Sequence, residues 1–108
     1  MTELNQPTTF RNMSAEDLLQ IVAIEREATP SPWSGRQFEQ SLEQHRCLVI
    51  SENNGSGLIL GYAVVSTLLD QAEVLNICIN PKYQGRGLGS QLLSHLLKDL
   101  PEAIEVIY

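Results

Sequence analysis

The stretch with most chemical potential is Asn76-Ile77-Cys78-Ile79-Asn80-Pro81-Lys82-Tyr83-Gln84-Gly85-Arg86-Gly87-Leu88-Gly89-Ser90. An apolar run meets a short loop holding Gly85, Gly87 and Gly89, and that loop opens into leucines at helical spacing. Glycine admits a positive φ where a loop must turn, and it leaves room for a ligand to reach main-chain N–H groups. The first N–H groups of a helix lack intrahelical acceptors and sit at the positive end of its dipole, which suits a phosphate. Lys82 and Arg86 are the only lysine or arginine between Arg46 and Lys98, so positive charge gathers beside this loop. A glycine turn without a ligand would use the same residues, and residue types alone leave both readings open. Two nucleotide templates are excluded. G-x-G-x-x-G counted from Gly85 meets Ser90 where glycine is required, and no Walker lysine follows Gly89.

Other side chains offer less. Cys47 and Cys78 lie in apolar runs with no C-x-x-C pair, and both are expected to be buried, reduced thiols. His45 and His95 have no metal-ligating neighbours and are expected at the surface, with no metal site. Trp33 is expected to pack, with the lining of a substrate entrance as the alternative reading.

The elements that must position the loop follow from periodicity. Thr8 to Met13 reads as a short strand. Ser14, with Asp17 three residues on, reads as the cap of an amphipathic helix that reaches Ala28, where Thr29-Pro30-Ser31-Pro32 stops it. A second helix is expected from Ser34 through Phe38 and Leu42 to Gln44. Cys47–Ile50 reads as a buried strand, Glu52–Gly57 as a turn, and Leu58–Leu69 as a longer strand with Gly61 at a bulge or close approach. Asp70-Gln71 turns the chain into a strand from Glu73 to Ile79. Leu88, Leu92, Leu93, Leu96, Leu97 and Leu100 mark a helix closed by Pro101, and Ala103 to Tyr108 starts another strand. The order is β-α-α-β-β-β-α-β, an α/β (α+β) fold around a mixed sheet.

A chain of 108 residues suits one domain. Its composition, 43% hydrophobic and 19% charged, is that of a folded chain rather than a disordered one. A net charge of −6 and a pI near 4.7 argue against a nucleic-acid binder and tolerate a cationic partner. Met1 to Pro7 has neither a basic nor an apolar segment of a secretory signal. No apolar run reaches the roughly 20 residues of a membrane span. A cytoplasmic location without membrane contact is the expectation.

Gln84-x-x-Gly87-x-Gly89 resembles the Q/R-x-x-G-x-G/A acetyl-coenzyme A signature of the GCN5-related N-acetyltransferase (GNAT) superfamily. Pro32-Trp33-Ser34 and Asn76-Ile77-Cys78-Ile79 with Pro81-x-Tyr83-Gln84 are similar to segments of its ribosomal-protein-alanine N-acetyltransferases (RimI type). The resemblance covers nearly all of 14–108. It implies the GNAT fold and acetyl-CoA as co-substrate. The implied acceptor is the N-terminal α-amino group of a basic ribosomal protein, with alanine first. By position, the main chain of Ile77 and Ile79 would pair with the pantetheine arm, with Cys78 between them on the opposite face. Gln84 begins the motif, and the N–H groups of Gly85, Arg86, Gly87, Leu88, Gly89 and Ser90 would hold the pyrophosphate. Cys78 is not implied as a nucleophile, because the amine attacks the thioester directly.

That attack needs a base and an acid. In the family these are a glutamate on the fifth strand and a tyrosine about a dozen residues later. Both positions fall beyond Tyr108, and Glu105 is a poor candidate for the base because aligning it there would delete half a helical turn and the connecting loop. Residues 1–108 are therefore expected to form a single, incomplete domain that lacks the C-terminal helix and strands. The alternatives are a non-catalytic or inactive acyl-CoA-binding fragment, and a GNAT protein that acetylates a different amine.

Overall fold

The computed structural model describes residues 8–53, 55–98 and 100, and the backbone of a strand at 105–107. Five strands form one sheet in the spatial order β1-β2-β3-β4-β5: β1 (Thr8–Asn12), β2 (Arg46–Glu52), β3 (Ile59–Leu68), β4 (Gln71–Ile79) and β5 (Glu105–Ile107). The first four are antiparallel, and β5 joins β4 in parallel, so the sheet is mixed as expected. Three helices complete the fold: α1 (Leu18–Ala28), α2 (Gly35–Gln44) and α3 (Leu88–Lys98). Among the described residues, no helix is long and apolar enough to cross a membrane.

Helices cover both faces, so β2 and the first half of β3 are buried almost continuously. On one face α1 and α2 bring Ile21, Ile24 and Phe38 against Cys47, Val49, Tyr62 and Val64. On the other, the Leu88, Leu92 and Leu96 stripe of α3 packs on Leu48, Ile50, Ala63 and Val65. Leu97, also placed in the leucine run, is exposed instead.

The start of α1 differs from the expectation. Ala15–Asp17 forms a turn of 3-10 helix, and the α-helix begins only at Leu18. The Asp17 carboxylate accepts from the Ser14 main-chain N–H at 2.8 Å and its hydroxyl at 3.2 Å, and it takes both Arg11 guanidinium nitrogens at 2.8 and 2.9 Å. Those bonds hold a tight first turn on the end of β1. For α2 the expected cap is present, with Ser34 Oγ accepting from the Gln37 amide at 3.2 Å.

Two register shifts shape the sheet. Ile50 pairs with Gly61 while Ser51 pairs with Ile59, which leaves Leu60 extra at a β-bulge. Gly61 is also a close approach: a Cβ there would lie 2.6 Å from Ile79 Cδ1 and 2.7 Å from the Cys78 carbonyl oxygen. In β4, Val64 pairs with Asn76 and Val65 with Val74, leaving Leu75 extra. The β3–β4 hairpin turns through Leu69 and Asp70, one residue earlier than expected, with Leu69 at a φ of +55°.

Candidate functional site

The carboxyl end of β4 and the amino end of α3 meet at the glycine loop. Asn80 ends the strand. Its main-chain N–H donates to the Leu60 carbonyl at 2.8 Å, and its side-chain oxygen accepts from the Lys82 amide at 3.1 Å, winding Pro81–Tyr83 into a 3-10 turn. Gln84 Nε2 donates to the Ile79 carbonyl at 3.1 Å, tying the loop back to the strand it left. The Arg86 guanidinium lies over the Tyr83 ring, 5.3 Å from its centre.

The expected conformational role of the glycines is specific to two of them. Gly85 and Gly87 have φ of +81° and +77°, and a Cβ on either would meet nothing within 4 Å. Each turns the chain left-handed and leaves open space above its backbone. Gly89 differs: it sits in the first turn of α3, with its Cβ position 3.7 Å from Ile79 Cγ1. The first bond of α3 runs from the Gln91 amide to the Gly87 carbonyl at 3.1 Å. The amides of Leu88, Gly89 and Ser90 therefore precede the helical ladder, at the positive end of an 11-residue helix. Open space, left-handed glycines and this helix start together fit a diphosphate.

Beside the loop, β4 offers an edge. Its pairing with β5 covers only Gln71, Ala72 and Glu73. Among the described residues, no strand lies against that edge from Val74 to Ile79. Ile79 packs toward α3 and Cys78 toward α1, while Ile77, opposite Ala63 in the register, lies on the same sheet face as Ile79 but is exposed, the alternation expected of them. Cys78 is only half-buried, not buried as expected, because it lines an open cleft. Burial raises its thiol pKa, as it raises that of Cys47 to about 11, so neither is a ready thiolate.

That cleft, about 320 Å³, lies between β4 and the end of α1 and is lined by Glu25, Thr29, Trp33, Asn76 and Cys78 among others. Trp33 packs and lines at once. Its ring lies 5.3 Å from that of Phe38, which meets Tyr62 edge-on at 5.7 Å. Tyr62 in turn donates its hydroxyl to Glu25 Oε1 at 2.7 Å. Burial, then its contacts with Cys78 and Glu25, push the Tyr62 hydroxyl well above its ordinary range. Glu25 and Tyr62 were not singled out from the sequence for chemistry, and Asn76 entered only as the first residue of the Asn76-Ile77-Cys78-Ile79 segment, with no role of its own. The available signal was Glu25 itself, an acid at a core-facing position of an amphipathic helix.

The remaining expectations fall elsewhere. His95 is half-buried rather than on the surface, its ring stacked on Phe10 at 4.2 Å, and His45 is half-buried after α2. Glu105 pairs with Gln71, six residues from Ile77, or roughly 20 Å along the strand at about 3.3 Å per residue. Its side chain, Pro101 and Tyr108 lie outside the described residues.

The profile of the Acetyltransferase (GNAT) family matches residues 14–108. A [ribosomal protein bS18]-alanine N-acetyltransferase of Haemophilus influenzae is 38% identical over 91 residues, which span 83% of this chain and 60% of the relative. The Escherichia coli K12 protein of the same name is 32% identical over 93 residues, 85% of this chain and 61% of the relative. A crystal structure of the Escherichia coli ribosomal-protein-S18-alanine N-acetyltransferase superposes with a TM-score of 0.77 at 31% identity, covering 86% of this chain and 59% of that one. The chain thus spans about three-fifths of the length of the relatives it matches.

Proposed function

The chain belongs to the acetyltransferase (GNAT) family, and from that premise we propose that it is the acetyl-CoA-binding part of an N-acetyltransferase, one incomplete domain. The acceptor in this reading is the N-terminal α-amino group of a basic ribosomal protein that begins with alanine. The observation that carries it is the junction of β4 and α3. The amides from Gly85 to Ser90 hold the diphosphate, and Gln84 braces the loop that presents them. The open edge at Ile77 and Ile79 receives the pantetheine amides as an added strand would. The thioester then lies along β4, and the amine approaches through the cleft beside Trp33. Similarity to the two bS18-alanine enzymes supports the acceptor, and a net charge of −6 suits a cationic one.

Attack of the neutral amine on the thioester carbonyl forms the amide and expels the CoA thiolate. A base must take the ammonium proton, and an acid must protonate the thiolate. Glu105, opposite Gln71 at the far end of β4, is poorly placed for the first task. In this reading neither role is assigned to a residue of this chain. The span of three-fifths of the relatives' length favours a second reading for these residues alone, an acyl-CoA-binding unit without turnover. Cytoplasmic location goes with either reading.

Calorimetric titration with acetyl-CoA, beside an assay of acetyl transfer to an alanine-initiated basic peptide, separates them. Binding with turnover supports the enzyme, and binding without turnover supports the acyl-CoA-binding unit. No binding at saturating acetyl-CoA refutes both. Transfer to spermidine or lysine side chains in preference to the peptide refutes the acceptor.

A further inference from the structure

Glu25 is 3% exposed, and its carboxylate accepts four hydrogen bonds from three separate parts of the fold. The Trp33 main-chain N–H donates to Oε2 at 2.9 Å. The Tyr62 hydroxyl of β3 donates to Oε1 at 2.7 Å, and Asn76 Nδ2 of β4 lies 3.2 Å from both oxygens. No basic side chain bonds to this acid among the described contacts, so neutral donors alone stabilise it. We propose that Glu25 is a positioning residue for the acceptor: it clamps the Pro32-Trp33-Ser34 turn to the bulged segment of β4 and so fixes both walls of the cleft. The inference rests on the reading of that cleft as the acceptor's entrance.

The geometry explains why an acid is needed. The Trp33 amide, the Tyr62 hydroxyl and the Asn76 amide all point donors at one place, and a carboxylate is the only side chain that offers acceptors alone on both arms. Glutamine has the same shape, but its NH2 faces either the Trp33 N–H or the Tyr62 hydroxyl, which must then turn round to accept, and in both cases Asn76 loses one of its two acceptors. Asn76 reaches Glu25 because the extra residue Leu75 turns it toward α1. The glycine loop makes none of these contacts. Loss of the clamp should therefore act on the acceptor and spare CoA.

The test compares the wild-type chain with Glu25→Gln and Tyr62→Phe, the latter removing one donor while leaving the Trp33 tether. Trp33 is the only tryptophan, so its emission reports the turn directly. In Glu25→Gln, emission should shift to the red and acrylamide quenching should rise. Affinity for an alanine-initiated basic peptide, measured with CoA present, should fall tenfold or more, with CoA affinity within twofold of wild type. Tyr62→Phe should lose under threefold for the peptide. Equal weakening toward peptide and CoA, or unchanged peptide affinity in a folded Glu25→Gln protein, overturns the proposal. So does unchanged Trp33 emission. Should Glu25→Gln not fold, Asn76→Ala releases the β4 wall alone: peptide affinity should fall tenfold or more with CoA affinity within twofold, while Trp33 emission stays near wild type because its tether to Glu25 remains, and unchanged peptide affinity there overturns the proposal. Wild-type protein that binds CoA but no peptide refutes the acceptor reading instead, a failure visible before any variant is made.

Discussion

Replacing Gly87 by alanine isolates what the loop backbone does. A Cβ at Gly87 meets no heavy atom within 4 Å, so collision contributes nothing in the free protein. The cost lies in the backbone at φ +77°, which for an L-residue is about 1 kcal/mol. For a domain near this size that lowers the melting temperature by about 4–8 °C. Relaxation away from positive φ would rotate the peptide unit leading into Leu88 and take at least one N–H off the diphosphate. A hydrogen bond to a charged group contributes about 1.5–3 kcal/mol, so acetyl-CoA affinity should fall by about tenfold to a hundredfold. Gly89→Ala is the control. Its Cβ would sit in ordinary contact, 3.7 Å from Ile79 Cγ1, inside a helix that alanine favours by about 1 kcal/mol over glycine. Calorimetry and thermal melting of both variants should show Gly87→Ala weaker in binding and Gly89→Ala near wild type in affinity and at least as stable. Wild-type affinity in Gly87→Ala, or equal loss in both, would refute the phosphate-loop reasoning.

Two further outcomes concern stability. The Arg11 guanidinium, with help from Ser14, holds the Asp17 carboxyl below its ordinary pKa against the opposing effect of burial. A depressed folded-state pKa contributes stability above the unfolded pKa and loses it as pH falls through the folded value. Acid titration of Asp17→Asn should therefore show a flatter loss of stability below about pH 4 than wild type, and parallel curves would remove this ion pair from the acid response. Leu69 is 93% exposed at a φ of +55°, so it holds a left-handed turn with no packing in return. Leu69→Asn should raise stability by about 0.5–1 kcal/mol in chemical denaturation, and a loss would mean that the exposed leucine makes a contact of its own.

The order of elements was legible because helical apolar spacing gives way to near-continuous apolar runs at Cys47 and returns at Leu88. The glycine loop was legible because its signal is local: three glycines, an Asn-Pro step and a leucine stripe within fifteen residues. What escaped was carried by distant partners. Glu25 marks the helical stripe in sequence, yet its donors lie 37 and 51 residues away in Tyr62 and Asn76. The late start of α1 has the same origin, since Arg11 on β1 competes for the Asp17 side chain. The bulge at Leu75 was hidden because Val74-Leu75-Asn76-Ile77-Cys78-Ile79 reads as an apolar strand in either register.

The surplus residue at Leu75 makes strand length, rather than composition, the stringent constraint on this part of the polypeptide. Inserting one residue between Asn76 and Ile77 would invert every side chain after it, sending Ile77 toward Glu25 and Cys78 toward the leucines of α3, whereas excising Leu75 would only close the bulge and leave Asn76 opposite Val64. Conservative exchanges at Ile77 or Ile79 change only the filling of a half-open surface. An insertion at the tip, Leu69-Asp70, disturbs no such parity. Gene libraries built on this scaffold should therefore vary identity freely along the edge and confine indels to the hairpin end.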